Sequence, residues 1–329
     1  MTTNTLRQAI RWHRPLMVFT AAMAVSAVVC LVGIFADPRV LTGAPIWLKP
    51  FKFSVSLGIY ALTLAWMLSL LPRRSRVADW AGTVIAVMGL AEMVVIVTQV
   101  LRGTTSHFNG TTPLNGALFQ AMGMSIMVLF VAHFVLGIAV LRRRVPDRVA
   151  ARAVGLGLGL SLLGMLAAIP MVIPGHAPTP DGINGSHAVG VADGGPGLPI
   201  VGWSTTGGDL RIGHFIGLHA LQALPLLAIL LTRFAAGWDD RTKIRLLTVA
   251  GTAYGVLTAM LTWQALRGQP LLRPDGLTLA AAAALVLGAA TAAGLVLAAS
   301  RRHAAEPVPA HEGLGRLAGL AAAQQDVTA

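Results

Sequence analysis

Charge is scarce in this sequence. Only 12% of its 329 residues are Asp, Glu, Lys or Arg, about half of what a soluble domain carries. Glutamate occurs three times, as Glu92, Glu306 and Glu312. Cysteine occurs once, as Cys30, which excludes an intrachain disulfide and a cysteine-held metal cluster. The chain also lacks a P-loop, a dinucleotide-binding glycine fingerprint, an HExxH zinc motif and a GxSxG nucleophile elbow. Together these absences exclude a soluble enzyme of those classes, a charged disordered chain and a coiled coil. What is present is apolar. Hydrophobic residues make up 55% of the chain and the mean hydropathy is +0.71. The sequence therefore predicts an integral membrane protein with several spans.

Eight apolar runs approach the ~20 residues that cross a bilayer. They lie near 16–36, 51–72, 81–101, 118–141, 153–174, 212–233, 246–266 and 278–299. The first follows Arg7, Arg11 and Arg14, as a signal peptide would, but its apolar core is longer than the ~7–15 residues of a cleaved signal. It reads as a retained helix. The formal net charge of +12 would suggest nucleic acid in a soluble protein. Here the basic residues sit in short connections, so no nucleic-acid partner is expected. The N-terminus, the even-numbered connections and the C-terminal segment hold 18 Lys and Arg, and the odd-numbered connections hold 7. The positive-inside rule then places both termini in the cytoplasm. Trp12, Trp80 and Trp238 fall near inner ends of spans, and Trp47 and Trp203 near outer ends, as interfacial anchors do. The Arg-, Ala- and Gly-rich composition suggests a bacterial plasma membrane. The expected architecture is all-α: a polytopic transmembrane helix bundle, residues 1–302, with a disordered cytoplasmic tail at 303–329.

Residues 175–211 form one long outer connection with ten glycines. It also carries Ile183, Val189, Val191, Leu198, Ile200, Val201 and Trp203, which predicts a packed lid rather than polar filler. Gly155, Gly159 and Gly164 of the fifth span, and Gly251 and Gly255 of the seventh, predict faces of close helix packing.

Glu92 is the only glutamate within a span. An ionisable group there costs several kcal/mol unless it is neutral, paired or beside water, so it is a site candidate. The alternative is a neutral carboxyl bridging two helices. Gln99 stands seven residues on, on the same helical face. The sixth span opens with Arg211, His214, His219 and Gln222. At 100° per residue these four share an arc of roughly 140°, which predicts one inward polar stripe. His107, just beyond the third span, is placed to fold over the same mouth. Lys49 and Lys52 flank Pro50 at the outer start of the second span. Snorkelling is the default for lysines there; the alternative is a pull on an anionic substrate or lipid head group. His133, on the fourth span, is set apart by over about 10 Å of depth from His219 by straight-helix rise, which disfavours a haem held between the two.

The candidate assignments are therefore Glu92, Arg211 and His219 as catalytic residues, Gln99, Gln222 and His133 as cofactor-binding residues, and His107, His214 and His219 as metal ligands. The cofactor itself, a metal ion or haem, is left open.

Three stretches also resemble a known protein group. They are Trp47-Leu-Lys-Pro50-Phe-Lys52-Phe-Ser54, Arg102-Gly-Thr-Thr-Ser-His107-Phe-Asn109, and Gly194-Gly-Pro-Gly-Leu-Pro199 continuing through Gly202-Trp-Ser-Thr and Gly208-Asp-Leu-Arg211 to Gln222. Together they resemble a family of bacterial polytopic membrane proteins of unassigned activity. The resemblance covers most of residues 45–230 and implies the multi-span architecture.

Three functions fit these residues. The first is a metal- or haem-assisted membrane enzyme or binding protein, open to the outer face, with a small-molecule or lipid substrate. The second is a proton-coupled transporter of a small, anionic solute, which needs polar lining in the inner half as well. The third is a structural or assembly protein. Candidate polar groups concentrate in the outer half, which favours the first.

Overall fold

The computed structural model describes residues 12–143 and 145–305. The expected tail segment 306–329, and Arg7, Arg11, Arg144 and Arg316 of the basic count, lie outside the described residues. Among the described residues, eight helices are long and apolar enough to cross a membrane. They are α1 (Arg14–Ala36), α2 (Leu48–Ser69), α3 (Arg76–Leu101), α4 (Pro113–Arg142), α5 (Arg148–Leu166), α6 (Arg211–Phe234), α7 (Asp240–Leu266) and α8 (Gly276–Ala305). The fold is an all-α polytopic bundle, as the hydropathy predicts.

Most helix starts follow local chemistry. Ser75, Thr112, Asp147 and Asp239 each accept a hydrogen bond from a first-turn backbone N–H, opening α3, α4, α5 and α7. Pro113 suits the first position of α4, where its missing N–H is not needed. Helices α2 and α6 differ. Trp47 and Leu210 occupy their capping positions, and neither offers a capping side chain. Both of these helices begin at the candidate site.

The helices group as two fours. Within the first, α1 packs on α2 and α3 on α4; within the second, α5 packs on α6 and α7, and α8 on α7. The halves meet along α4–α5 and, more sparsely, along α2–α6. The largest apolar core lies among α1–α4 and takes in Leu158 of α5 and Leu221 of α6 at the seam. An even number of spans puts the start of α1 and the end of α8 on one face, called here the terminal face. The opposite face carries the long connection and is called the loop face.

That connection begins earlier than expected. Helix α5 ends at Leu166 and a 3-10 turn follows at Ile169–Val172, so residues 167–210 join α5 to α6. They fold as a packed lid. Strands β3 (Ala188–Val189) and β4 (Gly208–Asp209) pair antiparallel. The backbone N–H of Asn184 donates to the Phe108 carbonyl at 2.8 Å, and that of Gly110 to Gly182 at 2.7 Å. A small apolar cluster of Phe108, Met171, Val189, Leu210 and Ala265 lies under the lid. A hairpin between α1 and α2, β1 (Val40–Leu41) with β2 (Ala44–Pro45), completes this face.

The close-packing glycines differ from the expected stripe. Cβ atoms at Gly157 and Gly164 would meet α6 backbone, one at Gly155 would meet only Leu141, and one at Gly159 would meet nothing. The contact face of α5 therefore runs through Gly157, Ser161 and Gly164. Glycine spacing alone does not contain the rotation of α5 against α6.

Candidate functional site

Glu92 lies about 14 Å below the loop-side end of α3, nine residues from Leu101. Its side chain is 2% exposed. Oε1 stands 3.8 Å from His107 Nε2, too far for a hydrogen bond. Oε2 is buried without a hydrogen-bond partner among the described residues. Buried polar atoms are nearly always paired, so this oxygen marks a place where a partner is missing.

Three imidazoles gather near it. His107 follows α3 and is held by Ser106 Oγ on Nδ1 at 3.0 Å. His187, from the lid, stands 6.4 Å from His107 between ring centroids. Its Nδ1 donates to Asp193 Oδ2 at 2.7 Å, which leaves Nε2 as the acceptor. His214, on the first turn of α6, donates from Nδ1 to the Gly164 carbonyl at 2.7 Å, which also leaves Nε2 as acceptor. His107 and His187 are within Coulombic reach of Lys49, and both His107 and His214 are within reach of His187.

Lys49 lies beside this group. Its ammonium lies within Coulombic reach of Glu92, Asp193, Arg211 and Lys52. It is half-buried and makes no hydrogen bond or ion pair with the described residues. The lid lies over the start of α2, pinned there by Lys52, and Lys49 is half-buried beside it. The other cations are committed. Lys52 donates to the Val201 carbonyl at 2.9 Å and pins the lid. Arg211 reaches both oxygens of Asp209, from Nε at 2.9 Å and Nη2 at 2.6 Å, and also donates to the Gly202 carbonyl.

The remaining expected site residues fall elsewhere. Gln99 accepts from Arg102 and donates to Asn115 and the Thr105 carbonyl, bracing the turn between α3 and α4. His219 is exposed on α6, with Nδ1 3.3 Å from Gln222 Oε1. Gln222 donates to Thr63 of α2 at 3.1 Å. His133 is fully buried and both ring nitrogens are occupied. Tyr60 Oη lies 2.7 Å from Nδ1, and Ser161 Oγ 2.9 Å from Nε2. It joins α2, α4 and α5 and leaves no nitrogen for a cofactor. His133 and Gln222 are both tied to α2, at Tyr60 and Thr63, within one helical turn, so the depth gap of straight-helix arithmetic is not kept. No group of three His, Cys, Asp or Glu side chains among the described residues is placed to hold a metal ion.

His187 and its pairing with Asp193 are not among the residues that the sequence singles out. The signal was there in outline: a histidine and an aspartate six residues apart in a lid otherwise poor in charge. What the sequence lacks is the turn at Gly194, whose φ of 88° lets the chain reverse beside Thr42 of the hairpin.

Burial pushes the His107 imidazole well below its ordinary value, and neighbouring Lys49 adds to the effect. Burial also lowers His187, although its hydrogen bond to Asp193 opposes this. The unfolded chain takes up these protons near pH ~6.5 and the folded chain refuses them. Stability due to these histidines is therefore complete above about pH 6.5 and is lost progressively below it. The apparent Tm in detergent is expected to fall between pH 7.5 and pH 5. The double variant His107→Gln/His187→Gln should show a flatter profile. A wild-type Tm that holds or rises on acidification over this range contradicts the burial of the two rings.

No protein-family model, curated protein or solved structure matches this chain.

Proposed function

We propose that this chain is a bacterial plasma-membrane enzyme working by general acid–base chemistry, with its site beneath the lid on the outer face. One observation carries the reading: the buried Glu92 carboxyl has an oxygen with no partner among the described residues, beside imidazoles whose other nitrogens are already held. His187, oriented by Asp193, is the base. A carboxylate that fixes the tautomer of an imidazole leaves the far nitrogen free to take a proton. Glu92 is the acid, with its unpartnered Oε2 buried beneath the lid. Lys49 supplies the positive charge that would hold an anionic group or stabilise one as it forms. Metal- or haem-assisted chemistry has less support, because the histidines do not assemble three ligands and His133 is committed on both sides. Transport has less support as well. The polar lining of the seam runs from the loop face only as far as Tyr60, Thr63, His133 and Gln222, and alternating access needs the other half lined too. An assembly role with no substrate leaves the orphan oxygen of Glu92 without a purpose.

The orientation rests on the distribution of basic residues. Cys30 is buried, so a thiol placed at the exposed Ile200 would be the one available to an impermeant maleimide. Ile200→Cys should label in intact cells. Labelling only after the membrane is broken reverses the topology.

The enzyme reading is tested with membranes containing wild-type, Glu92→Gln or His187→Ala protein, matched for folded amount. Mass-resolved profiles of their lipid and small-molecule extracts are compared after incubation. A product made by wild type and reduced at least a hundredfold in both variants supports it. Identical profiles in all three would remove it.

A further inference from the structure

The substrate class can be read from what the site leaves unpaired and from how it opens to the bilayer; this step rests on the enzyme reading above. Two groups under the lid have no hydrogen-bond or ion-pair partner among the described residues. One is the Lys49 ammonium, which calls for an anion. The other is Glu92 Oε2, which calls for a hydroxyl or similar small polar group. Lys49 also stands in the first turn of α2, a helix that starts without a capping side chain, so the partial positive charge of its N-terminus adds to the same pull.

The seam between α2 and α6 leads from this place into the lipid. The two helices touch sparsely. Across the seam Gln222 bonds Thr63, and His219 stands exposed one turn nearer the loop face. An exposed imidazole at mid-span is unfavourable against hydrocarbon alone. Above it His214 lies within Coulombic reach of both His219 and His187. The polar side of α6 thus forms a ladder from the exposed His219 to the lidded histidines. On the α2 side of the same seam, Ile59 and Leu62 are apolar and exposed. A polar track beside an apolar one suits an amphiphile.

From this we infer that the site receives an anionic lipid whose headgroup carries a free hydroxyl, phosphate on Lys49 and hydroxyl on Glu92, arriving sideways between α2 and α6 with its acyl chains left in the seam.

The probes are dioleoyl phosphatidylglycerol, dioleoyl phosphatidylcholine and water-soluble glycerol 3-phosphate, each offered to the full-length protein in nanodiscs or detergent, with binding read by native mass spectrometry. Phosphatidylglycerol is expected to bind at least tenfold more tightly than either of the others. Lys49→Met should lose that preference and Lys49→Arg should keep it. His219→Trp, at an exposed position, should weaken the lipid at least tenfold and leave glycerol 3-phosphate unchanged. Glycerol 3-phosphate binding as tightly as the lipid overturns lateral arrival and points to a soluble phosphate ester. Equal binding of the two lipids, or a preference that survives in folded Lys49→Met, overturns the headgroup assignment. The two readings fail separately. Lys49-dependent lipid binding without Glu92-dependent turnover removes the enzyme reading alone, and Glu92-dependent turnover of a tail-less compound removes the lipid alone.

Discussion

Asp209→Ala is expected to destabilise the protein by about 3–5 kcal/mol, the range for leaving a buried charge without its partner. Asp209 is 0% exposed and accepts four hydrogen bonds, from the Ser204 and Arg211 backbone N–H groups and from Arg211 Nε and Nη2, at 2.6–3.1 Å. Three features add to its weight. Arg211 opens α6, where a cation faces the positive end of the helix dipole, so it is tolerable there only with an anion beside it. Asp209 also serves in place of the capping side chain that Leu210 cannot provide. Finally, β4 packs against the end of α7, so that a Cβ at Gly208 would meet the Ala265 carbonyl and the strand has no room to shift. The loss therefore falls on the joint between lid and bundle. Thermal unfolding in a mild detergent measures it. The double variant Asp209→Ala/Arg211→Gln is expected to recover part of the loss, because it removes the stranded charge along with its partner. An Asp209→Ala protein within about 1 kcal/mol of wild type, or a double variant less stable than the single, contradicts this account.

The joint also shows why some of the site was readable in the sequence and some was not. Spans are set by hydrophobic length, a property of consecutive residues, and all eight emerged, although α5 ends eight residues before its expected end. Glu92 was readable because a lone carboxyl in an apolar run has few innocent explanations. The stripe Arg211–His214–Gln222 was readable because helical spacing alone places it on one face. What those residues touch was not readable. Arg211 is consumed by Asp209, its neighbour but one, and Gln99 by the α3–α4 turn. Lys49 and His187 join the site only because a 44-residue connection, 167–210, folds back over the start of α2. Its path depends on positive-φ glycines and on backbone pairing such as Asn184 to Phe108. Those are contacts between segments far apart in the chain, and no periodicity announces them. His219 failed for a different reason. Its place on the arc was right, but the seam between α2 and α6 is open there, so the side chain faces out of the bundle.

The second large effect separates two glycines of one helix. Alanine at either Gly159 or Gly164 gains helix propensity, worth up to ~1 kcal/mol. At Gly159 nothing lies within 4 Å of the added Cβ, so Gly159→Ala should be neutral or slightly stabilising. At Gly164 the Cβ would run into Gly217 and the Leu218 backbone N of α6. Neither is a flexible side-chain end that can step aside. The helices must separate, and the closest contact between α5 and α6 is lost. Overpacking of this kind costs about 1–3 kcal/mol even where side chains can adjust, so Gly164→Ala should lose about 3 kcal/mol or more. A second consequence tells this apart from general damage. The Gly164 carbonyl holds His214 Nδ1 at 2.7 Å, so parting the helices also frees the imidazole that starts the polar side of α6. Gly217→Ala should behave alike, since its Cβ would meet Gly164 Cα and Thr258. Combining it with Gly164→Ala should give no rescue, because both changes push the same two backbones apart. Equal stability of the Gly159→Ala and Gly164→Ala proteins would show that α5 is rotated differently against α6. His214 would then lose its anchor, and the argument for an imidazole held on one side and open on the other would go with it.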